Sequence, residues 1–420
     1  MTIKLGVIAD DFTGSTDIGC FLSSDGWQVI QFVGTPEAPL TECHADALII
    51  SLKSRSCPVQ QAIEESLLAC RWLKAAGCQQ IYFKYCSTFD STSEGNIGPV
   101  TDALLNELGS DFTLICPALP VNGRMVVHGH LFVNGRLLNE SGMQNHPITP
   151  MKDANLMRLM DSQANGKTGL IDLEILHQGP QAIEQKIIDL RQQGYRYAVT
   201  DALTFDDLRC LKPVISKFPL LTGGSGLAKV MAEYADTSDA RAHTPAYPNR
   251  NAPAVVLSGS CSVMTNQQVA RYQQIAPSYA LDAERCLNDK NYHLLLADWV
   301  LQQSSEWAPL VYATQEPEKV REIQQTYGVQ QIGLAIERTF AGLAKHLAEN
   351  GFNRFIIAGG ETSSLIVQEL GINKLEIGGL IAPGVPWVRD GDRPERWLAL
   401  KSGNFGHIDF FQYAQELCHD

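Results

Sequence analysis

The stretch "IADDFTGSTD", residues 8 to 17, ends an apolar run and opens a helix-like segment, crowding three carboxylates and three hydroxyls into that junction. Two chemistries compete for it. An aspartyl-phosphate enzyme places its carboxylates at i and i+2, so that both project from one side of a strand end. Asp10 and Asp11 are adjacent and point apart if extended, which disfavours a phosphorylated aspartate. The other is a site for a polyhydroxylated substrate, in which one aspartate takes a hydroxyl or its proton. Thr13, Ser15 and the backbone N–H groups around Gly14 would stand beside it. A plainer reading has Asp10 or Asp11 capping the helix and Asp17 on its solvated first turn, where the macrodipole favours acid by about 0.3 to 1 kcal/mol. Spacing alone leaves these last two readings level.

Three more segments in the first half place polar groups just after apolar runs. "ISLKSRSCP" offers Lys53 and Arg55, "YFKYCSTFDSTSEGNIG" offers Lys84, Ser87, Thr88 and Asp90, and "CPALPVNGRMVVHGH" offers Asn122, Arg124 and His128. Arginine grips a carboxylate bidentately and lysine acts as a mobile point charge, so cations and aspartates together suit a polyhydroxylated acid. Any one of these charges is better read as solvated, and their shared position after apolar runs speaks only for the set. His128 and His130 share a strand face but have no third ligand at a recognisable spacing, so no metal is assigned to them.

In the second half, "FIIAGGETSS" runs a strand into two glycines and then Thr362, Ser363 and Ser364 at a helix start. Glycines let backbone N–H groups approach a phosphate, and the helix N-terminus adds its positive end. Glu361 would repel a phosphate directly; it makes better sense holding a hydrated magnesium or a ribose hydroxyl. Ser258-Gly259 and Lys401-Ser402-Gly403 form similar small-residue turns, and tight strand-to-helix packing explains each turn as well as nucleotide binding does.

Ligands in open α/β sheets lie beyond the carboxyl ends of the strands, so these residues need a frame of strands to position them. "KLGVIA", "ADALIISL", "QQIYFKY", "DFTLICPA", "YRYAVTDA" and "FPLLTGG" supply such runs in the first half. "AVVLSG", "SYALD", "PLVYAT", "RFIIAGG", "GLIAPGVPWV" and "RWLALKSG" supply them in the second. Between the runs lie helical segments such as "CPVQQAIEESLLACRWLKAAG", with Val59, Ile63, Leu67, Leu68 and Trp72 near helical spacing and Gly77 at its end. The alternation predicts an α/β fold of two domains, each with a mainly parallel sheet flanked by helices. "MVVHGHLFVNGRLL", with Asn134-Gly135 between apolar segments, predicts a β-hairpin inserted into the N-terminal domain. The polar, proline-rich "ADTSDARAHTPAYPNRNAP" sets the domains at 1–235 and 254–420, with a linker at 236–253.

The chain has 420 residues, more than one hydrophobic core usually serves, and its 46 acidic against 33 basic residues give a net charge of -13. No basic run or basic stripe interleaved with aromatics is present, which argues against nucleic-acid or anionic-membrane partners. Eleven scattered cysteines never form C-x-x-C, which fits a reducing cytoplasm, and no uncharged apolar stretch is long enough to span a bilayer. "GGSGLAK" lacks the third glycine of the dinucleotide fingerprint, which weakens a dehydrogenase, and neither a P-loop nor a G-x-S-x-G elbow occurs. Pattern alone does not separate a buried apolar helix face from a dimer face, so a homo-oligomer stays open.

Taken in order, "GVIADDFTGSTD", "SLKSRSCP", "YFKYCSTFDST", "GNIGPVTDAL", "PALPVNGR", "LTGGSGLA", "VVLSGSCS", "AGGETSS" and "PGVPW" followed by "LALKSGNFG" closely resemble the four-carbon acid sugar kinase family. The likeness extends over essentially the whole chain. It implies an N-terminal domain that binds a sugar acid, a C-terminal domain that binds ATP, and transfer of phosphate to the 4-hydroxyl of 3-oxo-tetronate. The family's nucleotide contacts fall here on Ser258, Gly360, Glu361, Thr362, Ser363 and Gly403. Such a kinase needs a carboxylate to accept the hydroxyl proton and cations, including Mg²⁺, to neutralise the phosphoryl group. One of Asp10, Asp11 or Asp17 is the expected base, with Asp11 preferred. Arg55, Lys84 and Arg124 are expected to hold the substrate carboxylate or meet the phosphate, with Asp90 among the substrate contacts. A threonate or erythronate kinase of the same family and a non-catalytic sugar-acid sensor are the alternatives.

Overall fold

The computed structural model describes residues 3–40, 44–145, 149–233, 246–315, 322 and 325–419. The chain divides into two compact units, residues 1–243 and 244–420. Of the expected linker 236–253, residues 236–245 lie outside the described residues. Residues 246–253 hydrogen-bond to the second unit: Gly379 donates to the Ala246 carbonyl at 2.8 Å and Arg354 to that of Pro253 at 3.1 Å.

In the first unit, β1 (Leu5–Ala9) is buried along its whole length, as an unbroken apolar run on a doubly covered parallel sheet should be. Around it lie β2 (Val29–Val33), β3 (Ala47–Ser51), β4 (Gln80–Lys84), β5 (Thr113–Cys116), β9 (Lys167–Ile171), β10 (Tyr195–Thr200) and β11 (Leu220–Gly223). Their order is β2-β3-β1-β4-β11-β5-β10-β9, every pair parallel. Helices α1 (Phe12–Ser24), α2 (Val59–Ala75) and α3 (Ile97–Glu107) follow β1, β3 and β4.

The face of α2 differs from expectation. Its buried residues are Ala62, Ser66, Ala69, Cys70 and Leu73, whereas Val59 is 39% and Leu68 58% exposed. Small side chains on the inner face let the helix lie close to the sheet, and that requirement outweighs the larger apolar residues on the other face. Trp72 instead sets its ring edge-on to Phe32 at 5.2 Å and donates to the Ala38 carbonyl at 3.0 Å.

The expected insertion is a three-stranded antiparallel sheet of β6 (Arg124–Val127), β7 (His130–Val133) and β8 (Arg136–Leu137). Asn134 and Gly135 turn it with φ of 50° and 78°, the left-handed pair a two-residue hairpin needs. A second turn at His128 and Gly129, absent from the sequence reading, is held by Asp201, whose carboxylate accepts both backbone N–H groups at 2.8 and 2.9 Å.

The second unit has β12 (Ala254–Ser258), β13 (Ser278–Ala280), β14 (Leu310–Tyr312), β15 (Arg354–Ala358), β16 (Lys374–Ala382), β17 (Val385–Asp390) and β18 (Trp397–Lys401). The order β13-β14-β12-β15-β18 is parallel, and β17 and β16 continue it antiparallel. "GLIAPGVPWV" is thus a hairpin turning at Gly384, φ 78°. Val256, Ile356, Trp387, Ala399, Phe410 and Phe411 share the core of this unit. No helix among the described residues is long and apolar enough to cross a membrane.

Candidate functional site

In the first unit the carboxyl ends of β1, β3 and β4 converge on a charged cluster. Arg55, in the loop after β3, donates to both oxygens of Asp10 at 2.8 and 3.0 Å and to Asp11 Oδ1 at 2.6 Å. Its Nη1 lies 3.8 Å from Asp90 Oδ2. Asp11 is the N-cap of α1: Gly14 N donates to Oδ1 at 3.0 Å and Thr13 Oγ1 to Oδ2 at 2.8 Å. Capping and an ion pair with Arg55 are therefore combined in one residue. A Cβ on Gly14 would fall 2.2 Å from Asp11 Oδ1 and 3.1 Å from Lys84 Nζ, so only glycine lets helix, carboxylate and ammonium approach this closely.

Lys84 is buried at the end of β4 and donates to the Tyr85 carbonyl at 3.0 Å. Asp90 accepts from Thr88 at 2.6 Å, and the residue before it, Phe89, holds a left-handed φ of 49°. Backbone strain at a bulky residue is tolerated where the surroundings enforce it, commonly beside a functional group. Asp10, Ser54, Arg55, Asp90, Ser91 and Asn96 line a small pocket here.

The three aspartates differ in what surrounds them. Burial pushes the Asp10 carboxyl up from its ordinary value against the pull of Arg55. Burial acts on Asp11 too, but Arg55, Lys84, Thr13 and Gly14 outweigh it and hold the carboxyl below its ordinary value. Burial pushes Asp17 up, opposed by Lys84 and by a short hydrogen bond from Ser225. Asp17 Oδ1 is buried and has no hydrogen-bond partner among the described residues. Asp11 is also the most accessible of the three, its side chain 26% exposed against 7% for Asp10.

Arg124 stands apart from the Arg55 cluster. Its Nη1 donates to the Asn122 carbonyl, its Nε is buried with no partner among the described residues, and its charge reaches Asp17. Lys53 and His128 are exposed. Among the described residues, no three His, Cys, Asp or Glu side chains are grouped to hold a metal.

Sequence reasoning missed Asn96 and Ser225. Asn96 Nδ2 donates to the carbonyls of Ser54 and Cys57 at 2.7 and 2.9 Å, clamping the loop that carries Arg55. Both bonds span about forty residues, so nothing local marks them. Ser225 lies within the motif "LTGGSGLA", but its partner Asp17 is 208 residues away, so nothing local marks the bond.

In the second unit Ser258 ends β12, its buried hydroxyl 2.7 Å from that of Thr314. The helix Gly360–Glu369 follows β15, with Gly359 at its N-cap, φ 129°. Cβ atoms on Gly259 and Gly359 would fall 2.2 and 2.9 Å from Thr362 Oγ1, so the threonine is packed between two glycine turns. Thr362, Ser363 and Ser364 are buried and Glu361 is exposed in the first turn. Gly403 lies against Ser260 and Ser262, where its Cβ would meet Ser260 Oγ at 2.9 Å. Ser258, Gly360 to Ser363 and Gly403 thus come from the carboxyl ends of three adjacent parallel strands, β12, β15 and β18. Ser260 and Ser262, both within "VVLSGSCS", join them, as do Thr265 and Thr314, which no local motif announces.

Residues 5–231 match the family model of a sugar-binding N-terminal domain, and residues 255–411 that of a nucleotide-binding C-terminal domain. The chain is similar to the 3-oxo-tetronate kinase of Haemophilus influenzae, 55% identical over 98% of this chain and 99% of that one. It is similar to that of Actinobacillus succinogenes at 53% identity, again over 98% and 99%. The crystal structure of Haemophilus influenzae protein HI1011 matches with a TM-score of 0.82 and 54% identity, covering 98% of this chain and 99% of that one.

Proposed function

The chain belongs to the four-carbon acid sugar kinase family, and from that premise we propose that it transfers the γ-phosphoryl group of ATP to the 4-hydroxyl of 3-oxo-tetronate. The observation that carries the substrate reading is the meeting of Arg55 and Lys84 with Asp10, Asp11 and Asp90. Cations suit the acid's carboxylate, and carboxylates suit its hydroxyls. We assign residues 1–235 to the sugar acid and 254–420 to ATP, with Ser258, Gly360 to Ser363 and Gly403 as nucleotide contacts. Asp11 is the base of this reading. It is ionised below the ordinary carboxylate range, accessible, and fixed by Thr13 and Gly14. It takes the proton of the 4-hydroxyl as that oxygen bonds to the γ-phosphorus; the bond from the γ-phosphorus to its bridging oxygen breaks and ADP leaves. Mg²⁺ enters as part of the MgATP substrate, with exposed Glu361 able to meet its water shell. The setting is the cytoplasm, in line with the scattered cysteines.

The test is ADP release with MgATP against D- and L-3-oxo-tetronate, D- and L-threonate, and D- and L-erythronate. Turnover confined to a 3-oxo acid is expected. Turnover only on a threonate or erythronate would change the substrate, because a ketone in place of a hydroxyl is worth one or two hydrogen bonds. Silence on all six would return the chain to the sensor reading.

A further inference from the structure

Lys401, the last residue of β18, is fully buried, yet among the described residues no carboxylate is one of its hydrogen-bond partners. Its Nζ donates to the carbonyls of Ser402 and Gly403 at 3.1 and 2.8 Å and to Thr265 Oγ1 at 3.0 Å. Thr265 donates in turn to the Gly403 carbonyl at 2.7 Å. The C=O and following N–H of a trans peptide point in opposite directions. Two carbonyls drawn inward to Lys401 therefore turn the N–H groups of Gly403 and Asn404 away from it. Among the described residues neither N–H has a hydrogen-bond acceptor.

We propose that Lys401 is a positioning residue for the nucleotide: by holding the Ser402 and Gly403 carbonyls inward, it presents the Gly403 and Asn404 N–H groups as a paired donor for a phosphate of ATP. The inference rests on the reading that Gly403 contacts the nucleotide. It also gives the buried amine a use, since its positive charge lies behind the two donors and pairs with no anion among the described residues. Burial pushes that ammonium down to about 7, and a phosphate in front of the loop favours its charged form.

The test is isothermal titration of ADP into the full chain and its variants, with steady-state kinetics alongside. Lys401→Met is expected to weaken ADP binding about 10- to 100-fold, the scale of losing hydrogen bonds to a charged group. KM for ATP should rise with it, while kcat and KM for the sugar acid stay near wild type, a split that a general structural defect would not give. Thr265→Val removes the second bond to the Gly403 carbonyl and should weaken ADP in the same direction by less. A folded Lys401→Met that binds ADP as the wild type does overturns the proposal; if that variant does not fold, unchanged ADP binding by Thr265→Val does so. Wild-type ADP binding without turnover of 3-oxo-tetronate would remove the substrate reading and leave the loop's role to the variants. Absence of ADP binding by the wild type would remove both.

Discussion

Asp10 and Asp11 are neighbours in sequence with opposite environments. Asp10 spends both oxygens on Arg55 inside the fold, while Asp11 caps a helix at an accessible edge and stays ionised. Asp11→Asn keeps the shape and removes the proton acceptor, so turnover should fall by about 10²-fold or more with ATP affinity nearly intact. ADP-release kinetics check this, and full turnover in the variant would move the role to Asp10, Asp17 or Asp90. Lys401 gives a separate pH signature. Its ordinary value is 10.5 and burial lowers it to about 7, so between those values the unfolded chain holds the extra proton. Stability from this group rises with pH across that window, and below it the cost of burying the charge is fully present. Urea midpoints of wild type and Lys401→Met at about pH 6.5 and about pH 9 should shift in favour of the wild type at the higher pH. A pH-independent difference would contradict it.

The candidate residues Asp10, Arg55, Lys84, Ser258, Gly360 and Gly403 stand at or just after the carboxyl ends of β1, β3, β4, β12, β15 and β18, and glycines let their neighbours approach closely. Gly14 illustrates the balance. Alanine is the better helix former by about 1 kcal/mol, but a Cβ here would lie 2.2 Å from Asp11 Oδ1. The clash decides the outcome. Gly14→Ala should displace Asp11 and lower turnover by about 10²-fold, the scale of a misplacement near 1 Å, with the far-UV spectrum unchanged; wild-type turnover in a folded variant would contradict it. The strands at this scale were legible because buried parallel strands read as unbroken apolar runs, as "LGVIA" and "ALIIS" do. Strands β2 and β9 escaped because Gln31 interrupts one and Lys167, Thr168 and Gly169 open the other. The inner face of α2 escaped because closeness to the sheet selected alanine and serine, which carry little apolar signal.

For the whole molecule, alternation of runs and helices was enough to give two α/β units, and ordered motifs in both halves gave the family. What stayed hidden were the bonds between segments distant in sequence, such as Asn96 to the Arg55 loop, Ser225 to Asp17 and Lys401 to Thr265. Those contacts arise only once the sheets bring the strand ends side by side. Phosphoryl transfer to the 4-hydroxyl of 3-oxo-tetronate leaves its own signature on the product. The most direct measurement is a proton-coupled phosphorus NMR spectrum of the product formed from MgATP and 3-oxo-tetronate. Phosphate on the C4 methylene oxygen couples to two protons and gives a triplet, the expected result. A doublet, from phosphate on the C2 hydroxyl with its single proton, or no organic phosphate signal at all, would contradict it.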